Sequence, residues 1–307
     1  MKPAQRAVGI DIGGTKIVIA AVDAAGHIHA RRSYETNSPR GFSVCLAEMQ
    51  TTIARVLAEA GWPAESLCGI GIGCTGPVSP QRGTIHNPYT LPGWEDAEIV
   101  TLLREAFRVE VRLENDADAA AVGEGRFGAG ADTSPLVMIT LGTGVGGAIL
   151  VDGKIYRGVN GEHPELGHVP VLPDGPECYC GWRGCWESLA SGTAIAAAGK
   201  PFGFADSRAV FAAASHNPNA AAIIQRAVAA TASATWTLLH TCLPQRIVLG
   251  GGIGEEHFET FAAAMREQIG RATQVPKTGI EIVKAARGNE AGVLGAAGLL
   301  LPLPSDW

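Results

Sequence analysis

"AVGIDIGGTKIVIAAVDAAGHIHARRSYE", residues 7–35, reads as an apolar run, a glycine pair, a second apolar run, a polar turn and a third strand-like stretch. β-Branched residues stand on both sides of Gly13 and Gly14, so the spacing predicts two strands joined by a tight turn, followed by a third. "PLVMITLGTGVGGAILVDGKIYRG", residues 135–158, repeats that outline, with a Gly/Thr turn at Gly142 to Gly147 and an Asp-Gly turn at Asp152 and Gly153. A unit of this length occurring twice predicts two similar domains that face each other. Helical spacing of Phe42, Leu46, Met49, Ile53, Val56 and Leu57, closed by Gly61, follows the first unit. Further on, strands are expected at 67–78, 109–113, 246–250 and 280–285. Helices are expected at 94–107, 115–128, 191–199, 206–214, 218–241, 255–269 and 289–300. Alternation of the two types predicts an α/β class with two mixed sheets, divided near Asn115.

The 307 residues are 46% hydrophobic, enough for substantial cores. The start, "MKPAQRAVGIDIGGTK", has no basic region followed by a long apolar one, and no apolar run reaches membrane-spanning length, so a cytoplasmic protein without a membrane partner is expected. A formal net charge of −6 with no Lys/Arg block argues against a nucleic-acid partner and for small-molecule ones.

Seven cysteines is an odd number, and Cys45, Cys68, Cys74 and Cys242 fall singly in apolar stretches, as small buried hydrophobes do. The other three lie with a histidine in "HVPVLPDGPECYCGWRGCWE", residues 168–187. His168, Cys178, Cys180 and Cys185 have the number and softness for a closed tetrahedral Zn²⁺ site, and Gly181 and Gly184 permit the turns it needs. Four protein ligands leave no open position, so the metal is expected to stiffen a loop and not to perform chemistry.

"GTGVGG" formally matches a dinucleotide fingerprint, but strand continues after the glycines where that fingerprint needs a helix. Two matched Gly/Thr turns, "DIGGTK" and "LGTGVGG", instead offer backbone N–H groups and hydroxyls to a polyphosphate. Asp11 beside them suits Mg²⁺, which prefers one or two carboxylates plus phosphate oxygens. Thr15 and Thr143 are candidate phosphate donors, and Lys16 is either a further donor or a solvated charge. Asn115 and Asp116 precede a small-residue helix and can be a helix cap or a catalytic pair, with Asp116 taking a proton from a substrate hydroxyl. "NGEHPELGH", residues 160–168, is not a metalloprotease motif, because the spacing is wrong and Pro164 breaks the required helix. Its Glu165 and His168, together with Glu187 and Asn87, are the polar groups that polyol recognition requires, while Trp94 is expected to pack.

Taken together, "DIGGTK", "NPYTLPGW", "ENDADAAAVGE", "TLGTGVGGAI", "NGEHPELGHVPV", "CYCGWRGCWE" and "LGGGI" resemble the ROK (repressor, open reading frame, kinase) family over nearly the whole chain. The resemblance implies a two-domain actin-like (ribonuclease H-like) ATPase fold with an interdomain cleft, the domains being 1–115, completed by the C-terminal helix at 289–307, and 116–288 with the zinc loop. It implies ATP- and Mg²⁺-dependent phosphorylation of a hexose at the 6-hydroxyl, and a homodimer. By the same resemblance Asp116 is the base. Gly76, Asn87, Asn115, Glu165, His168 and Glu187 contact the sugar; Asp11, Gly13, Gly14, Thr15, Thr143 and Gly144 fall on phosphate positions; Gly251 and Gly252 lie near the adenosine. His168, Cys178, Cys180 and Cys185 fall on the zinc ligands. Two departures, "HPE" before "LGH" and Asp118 in place of a common asparagine, bear on which sugar is taken. Glucose is expected first, ahead of N-acylmannosamine, fructose and N-acetylglucosamine. A repressor is the rival reading, and the first turn comes too early in the chain for a preceding DNA-binding segment. A sensor that binds ATP and sugar without catalysis is the other.

Overall fold

The computed structural model describes residues 5–303. The described residues 5–132, 152–155 and 289–303 form one compact unit and 133–151 with 156–288 another.

In the first unit β1 (Arg6–Ile12), β2 (Lys16–Asp23) and β3 (Ile28–Glu35) form an antiparallel meander. Helix α1 (Phe42–Ala60), capped by Gly61, leads to β4 (Gly69–Cys74), which lies parallel to β1. A short hairpin, β5 (Val78–Ser79) and β6 (Thr84–Ile85), precedes α2 (Ile99–Phe107), β7 (Val111–Asn115) and α3 (Asp116–Phe127). The sheet order is β3–β2–β1–β4–β7. Both faces are buried, as the unbroken apolar runs demand. Val8, Ile10, Ile12, Ile17 and Ile19 pack with Cys45, Met49 and Ile53 of α1. Ala7, Val18, Ala20 and Val22 face the opposite side.

The second unit repeats the plan. β8 (Leu136–Leu141) and β9 (Val145–Val151) are antiparallel, with β10 (Lys154–Ile155) at the edge after a turn at Asp152 and Gly153. Helices α4 (Glu187–Ala190), α5 (Gly192–Gly199), α6 (Ser207–Ala213) and α7 (Pro218–Thr241) follow the cysteine loop. β11 (Arg246–Gly250), α8 (Gly252–Glu256), α9 (Phe258–Arg271) and β12 (Glu281–Lys284) complete it. The order is β10–β9–β8–β11–β12, with β11 parallel to β8 and to β12. The chain then returns to the first unit as α10 (Ala291–Gly298), whose Val293, Leu294 and Ala297 cover the second face of the first sheet.

Three expectations shift. The division falls between Asp132 and Thr133 and not at Asn115, because α3 packs against α10, β4 and β7 inside the first unit. The helix expected at 94–107 begins only at Ile99; Trp94 is fully buried in a turn, with Asp96 in a left-handed conformation after it. The helix expected at 255–269 is two, broken at His257 where φ −114° and ψ 31° leave the helical region. Cys45 and Cys74 are buried, whereas Cys68 and Cys242 are only partly so. Among the described residues no helix is long and apolar enough to cross a membrane.

Candidate functional site

In each unit several candidate residues lie at the carboxyl ends of parallel strands, where open α/β sheets bind ligands: Asp11 at the end of β1 and Asp116 after β7, Thr143 and Gly251 after β8 and β11. In the first unit Asp11 of β1 pairs in register with Gly73 of β4, and Cys74 pairs with Asn115 of β7. This register brings Asp11 and Asp116 to opposite sides of Cys74. Burial pushes the Cys74 thiol well above its ordinary range, and the charges of Asp116 and then Asp11 push it further, so it is an inert spacer. Burial likewise raises Asp11 to about 6, against the opposing pull of Lys16.

The Gly13–Lys16 turn is closed by the Gly13 N–H donating to Lys16 O at 2.9 Å. Thr36, fully buried, braces it: its hydroxyl donates to Gly13 O at 2.6 Å and its N–H to Thr15 O at 3.0 Å. Gly14, Thr15 and Lys16 are exposed. At the start of α3 the Asn115 side chain accepts from Ala117 N–H at 2.8 Å, so Asn115 is the cap. Asp116 Oδ1 accepts from the same N–H at 2.8 Å and sits in the first turn, where the helix dipole favours a negative charge. Gly76 lies against Asn115, since a Cβ there would stand 2.9 Å from Asn115 Nδ2.

Asn87, an expected sugar contact, also closes a loop. It is fully buried, donates to Thr75 O at 3.0 Å and to Thr90 Oγ1 at 2.7 Å, and accepts from the Tyr89 and Thr90 N–H groups. Both of its N–H donors are spent on the loop it closes, which makes it a clasp for that loop in this structure.

In the second unit the Gly142 N–H donates to Gly144 O at 3.0 Å. The start of α5 straps this turn: Gly192 N–H donates to Gly142 O at 2.7 Å, and the Thr193 N–H and hydroxyl both reach Thr143 O. Glu187 Oε2 accepts the Val145 N–H at 2.8 Å. Gly251 and Gly252 directly follow β11, whose Gly250 pairs with Thr140 of β8. Glu165 is exposed, and His163 Nε2 lies 3.5 Å from its Oε1.

The cysteine loop is built locally. Cys178 N–H donates to Trp182 O, Gly181 N–H donates to Cys178 O, and Val171 and Leu172 donate to Gly184 O. Trp186, fully buried, anchors it by donating from its indole to Thr231 Oγ1 at 3.0 Å. The ligand atoms of His168, Cys178, Cys180 and Cys185 all lie within 4.8 Å of one another. Cys180 Sγ and Cys185 Sγ are 3.6 Å apart, and Cys178 Sγ and His168 Nδ1 are 3.4 Å apart. A disulfide would need about 2.05 Å. Zn–S of about 2.3 Å and Zn–N of about 2.0 Å give tetrahedron edges of about 3.5–3.8 Å, which these separations fit. Backbone hydrogen bonding to Trp182 lowers the Cys180 thiol, whereas burial and then the neighbouring thiols raise Cys185 to about 12. A bound cation would reverse that repulsion.

Thr36, Thr193 and Tyr179 escaped sequence reasoning. The two threonines brace carbonyls 23 and 50 residues away, and no local pattern encodes such pairs. Tyr179 lies between Cys178 and Cys180, and nothing in its spacing marks it apart from them.

The ROK family matches residues 7–302. The chain belongs to the ROK family. A ROK hexokinase structure from Thermus thermophilus is 33% identical with a TM-score of 0.85, covering 96% of this chain and 97% of that one. A ROK family glucokinase from Streptomyces griseus, solved with glucose and AMPPNP, is 30% identical with a TM-score of 0.71, covering 96% and 98%. An N-acetylmannosamine kinase of Vibrio cholerae is 36% identical, covering 95% of this chain and 98% of the relative. The fold of this ROK protein is accordingly the two-domain α/β fold of actin-like ATPases.

Proposed function

We propose that this ROK protein is an ATP- and Mg²⁺-dependent hexose kinase that transfers the γ-phosphoryl group to a hexose 6-hydroxyl, with glucose as first substrate. The observation that carries the reading is the pair of carboxylates, Asp11 and Asp116, brought by strand register to the carboxyl ends of β1 and β7. In-line phosphoryl transfer asks the protein for positioning and charge stabilisation more than for covalent chemistry. Asp116, at the first turn of α3, orients the hexose hydroxyl and takes its proton. Asp11 holds Mg²⁺ directly or through water, and the metal when bound offsets charge on the phosphate oxygens. Gly13, Gly14, Thr15, Lys16, Thr143 and Gly144 receive phosphate oxygens, and Gly251 and Gly252 lie beside the adenosine. Gly76, Asn87, Asn115, Glu165, His168 and Glu187 meet the sugar, Asn87 from the loop it closes.

His168, Cys178, Cys180 and Cys185 hold a structural Zn²⁺ that orders the loop ahead of Glu187. The protein works in the cytoplasm as a homodimer. N-Acetylmannosamine is the second substrate reading, favoured by the 36% identity of the Vibrio enzyme. The test is ADP release with Mg-ATP against glucose, mannose, fructose, N-acetylglucosamine and N-acetylmannosamine, with zinc assayed on the same sample. Turnover of glucose above the other four, with about one zinc per chain, is expected. Folded, zinc-loaded protein inert to all five overturns the kinase reading.

A further inference from the structure

Glu187 opens the short α4, two positions after Cys185. Its Oε2 accepts the N–H of Val145, the first residue after the second glycine turn, at 2.8 Å. The approach needs a glycine at 144, since a Cβ there would stand 2.6 Å from that oxygen. The Tyr179 ring, on the cysteine loop, stands edge-on to His168 with centroids 5.0 Å apart. One carboxylate therefore joins the cysteine loop to the glycine turn within the second unit.

In the kinase reading, on which this inference rests, Glu187 belongs to the hexose and Thr143 with Gly144 to the nucleotide. We propose that Glu187 is the positioning residue that couples hexose binding to nucleotide binding, because the carboxylate that receives a hexose hydroxyl also fixes the Val145 N–H of the phosphate turn. A hexose hydroxyl donating to Glu187 immobilises a side chain whose other oxygen already holds the turn. The nucleotide then meets a turn whose ordering entropy has been spent. Coupling of this kind is reciprocal: the nucleotide tightens the hexose by the same factor.

The experiment is calorimetric titration of the zinc-loaded full chain with Mg²⁺ and AMPPNP, with and without saturating hexose, the hexose being the one selected by ADP release. For the wild type the hexose is expected to tighten AMPPNP about fivefold or more, and AMPPNP to tighten the hexose equally. Glu187→Asp, one methylene too short to hold both ends, should bring the coupling factor to within about twofold of unity. Gly144→Ala displaces the same oxygen from the other side and should act alike. Thermal melts identify a variant that has lost its fold, in which case the other decides. A wild-type factor below about twofold, or wild-type coupling retained in a folded variant, overturns the inference. Turnover of a hexose without coupling leaves the kinase reading intact and sinks only this one; failure of the wild type to bind either ligand sinks both.

Discussion

Between β1 and β2 the glycine turn carries its own charges, with Asp11 two residues before Gly13 and Lys16 closing it. Between β8 and β9 the equivalent turn has no ionisable residue from Leu136 to Val151, and it takes Glu187 from a helix 42 positions away. The two sheets share strand order and pairing, so the backbone plan was repeated while the chemistry was not. Each turn is braced by a threonine from outside it, but Thr36 is fully buried and Thr193 exposed. A repeated scaffold thus fixes where ligands meet the backbone, and the inserted segments decide which charge arrives there.

The largest effect should come from the first unit. Asp116→Asn is expected to lower kcat on the order of 10²–10⁴-fold with fold and zinc unchanged; near-normal turnover in the ADP assay would remove Asp116 from the base role. Asp11→Asn is expected to lower kcat/KM for Mg-ATP on the order of 10²-fold and yet to stabilise the protein. Asp11 titrates near 6 when folded, above its ordinary 3.8, so the folded state holds a proton that the unfolded chain sheds between those values. Its contribution to stability therefore falls as pH rises from about 4 to about 6, and above pH 6 the ionised group destabilises on the order of 1–3 kcal/mol. Urea denaturation at pH 7.5 should show the Asn variant more stable, with activity of the wild type declining as pH drops through about 6.

The second turn should respond to the cysteine loop where the first does not. Cys178→Ser, or a strong chelator, is expected to release zinc and raise the hexose KM on the order of 10–100-fold, with a lower melting temperature. An unchanged hexose KM in metal-free protein would break the link between loop and Glu187. The smallest effect separates the braces. Thr36→Val leaves a buried carbonyl with one partner fewer and should cost about 1–2 kcal/mol, whereas Thr193→Val at an exposed site should cost about 0.5 kcal/mol in urea denaturation. Equal costs would mean that the two turns are held alike.

Much of this was legible along the chain. The hairpin of residues 7–35 announces itself because strand pairing across a short turn is local, and α1 shows its buried face at every third or fourth residue. The cluster of His168, Cys178, Cys180 and Cys185 was readable because all four fall within eighteen positions. The start of α2 was misread because Trp94 is buried as helical spacing would have it, yet it packs edge-on to Phe42 from a turn. The clasp that Asn87 makes was not readable, because side-chain identity alone does not show where an amide spends its hydrogen bonds.

The sequence by itself determined the repeated α/β plan, the two glycine turns and the cysteine cluster, since each is set by spacing within one stretch of chain. Only the tertiary structure decided that α3 belongs with the first unit, that burial lifts Asp11 to about 6, and that Glu187 serves the turn at Val145. Those depend on which distant segments close upon one another and how much water they exclude, and neither is written in local periodicity.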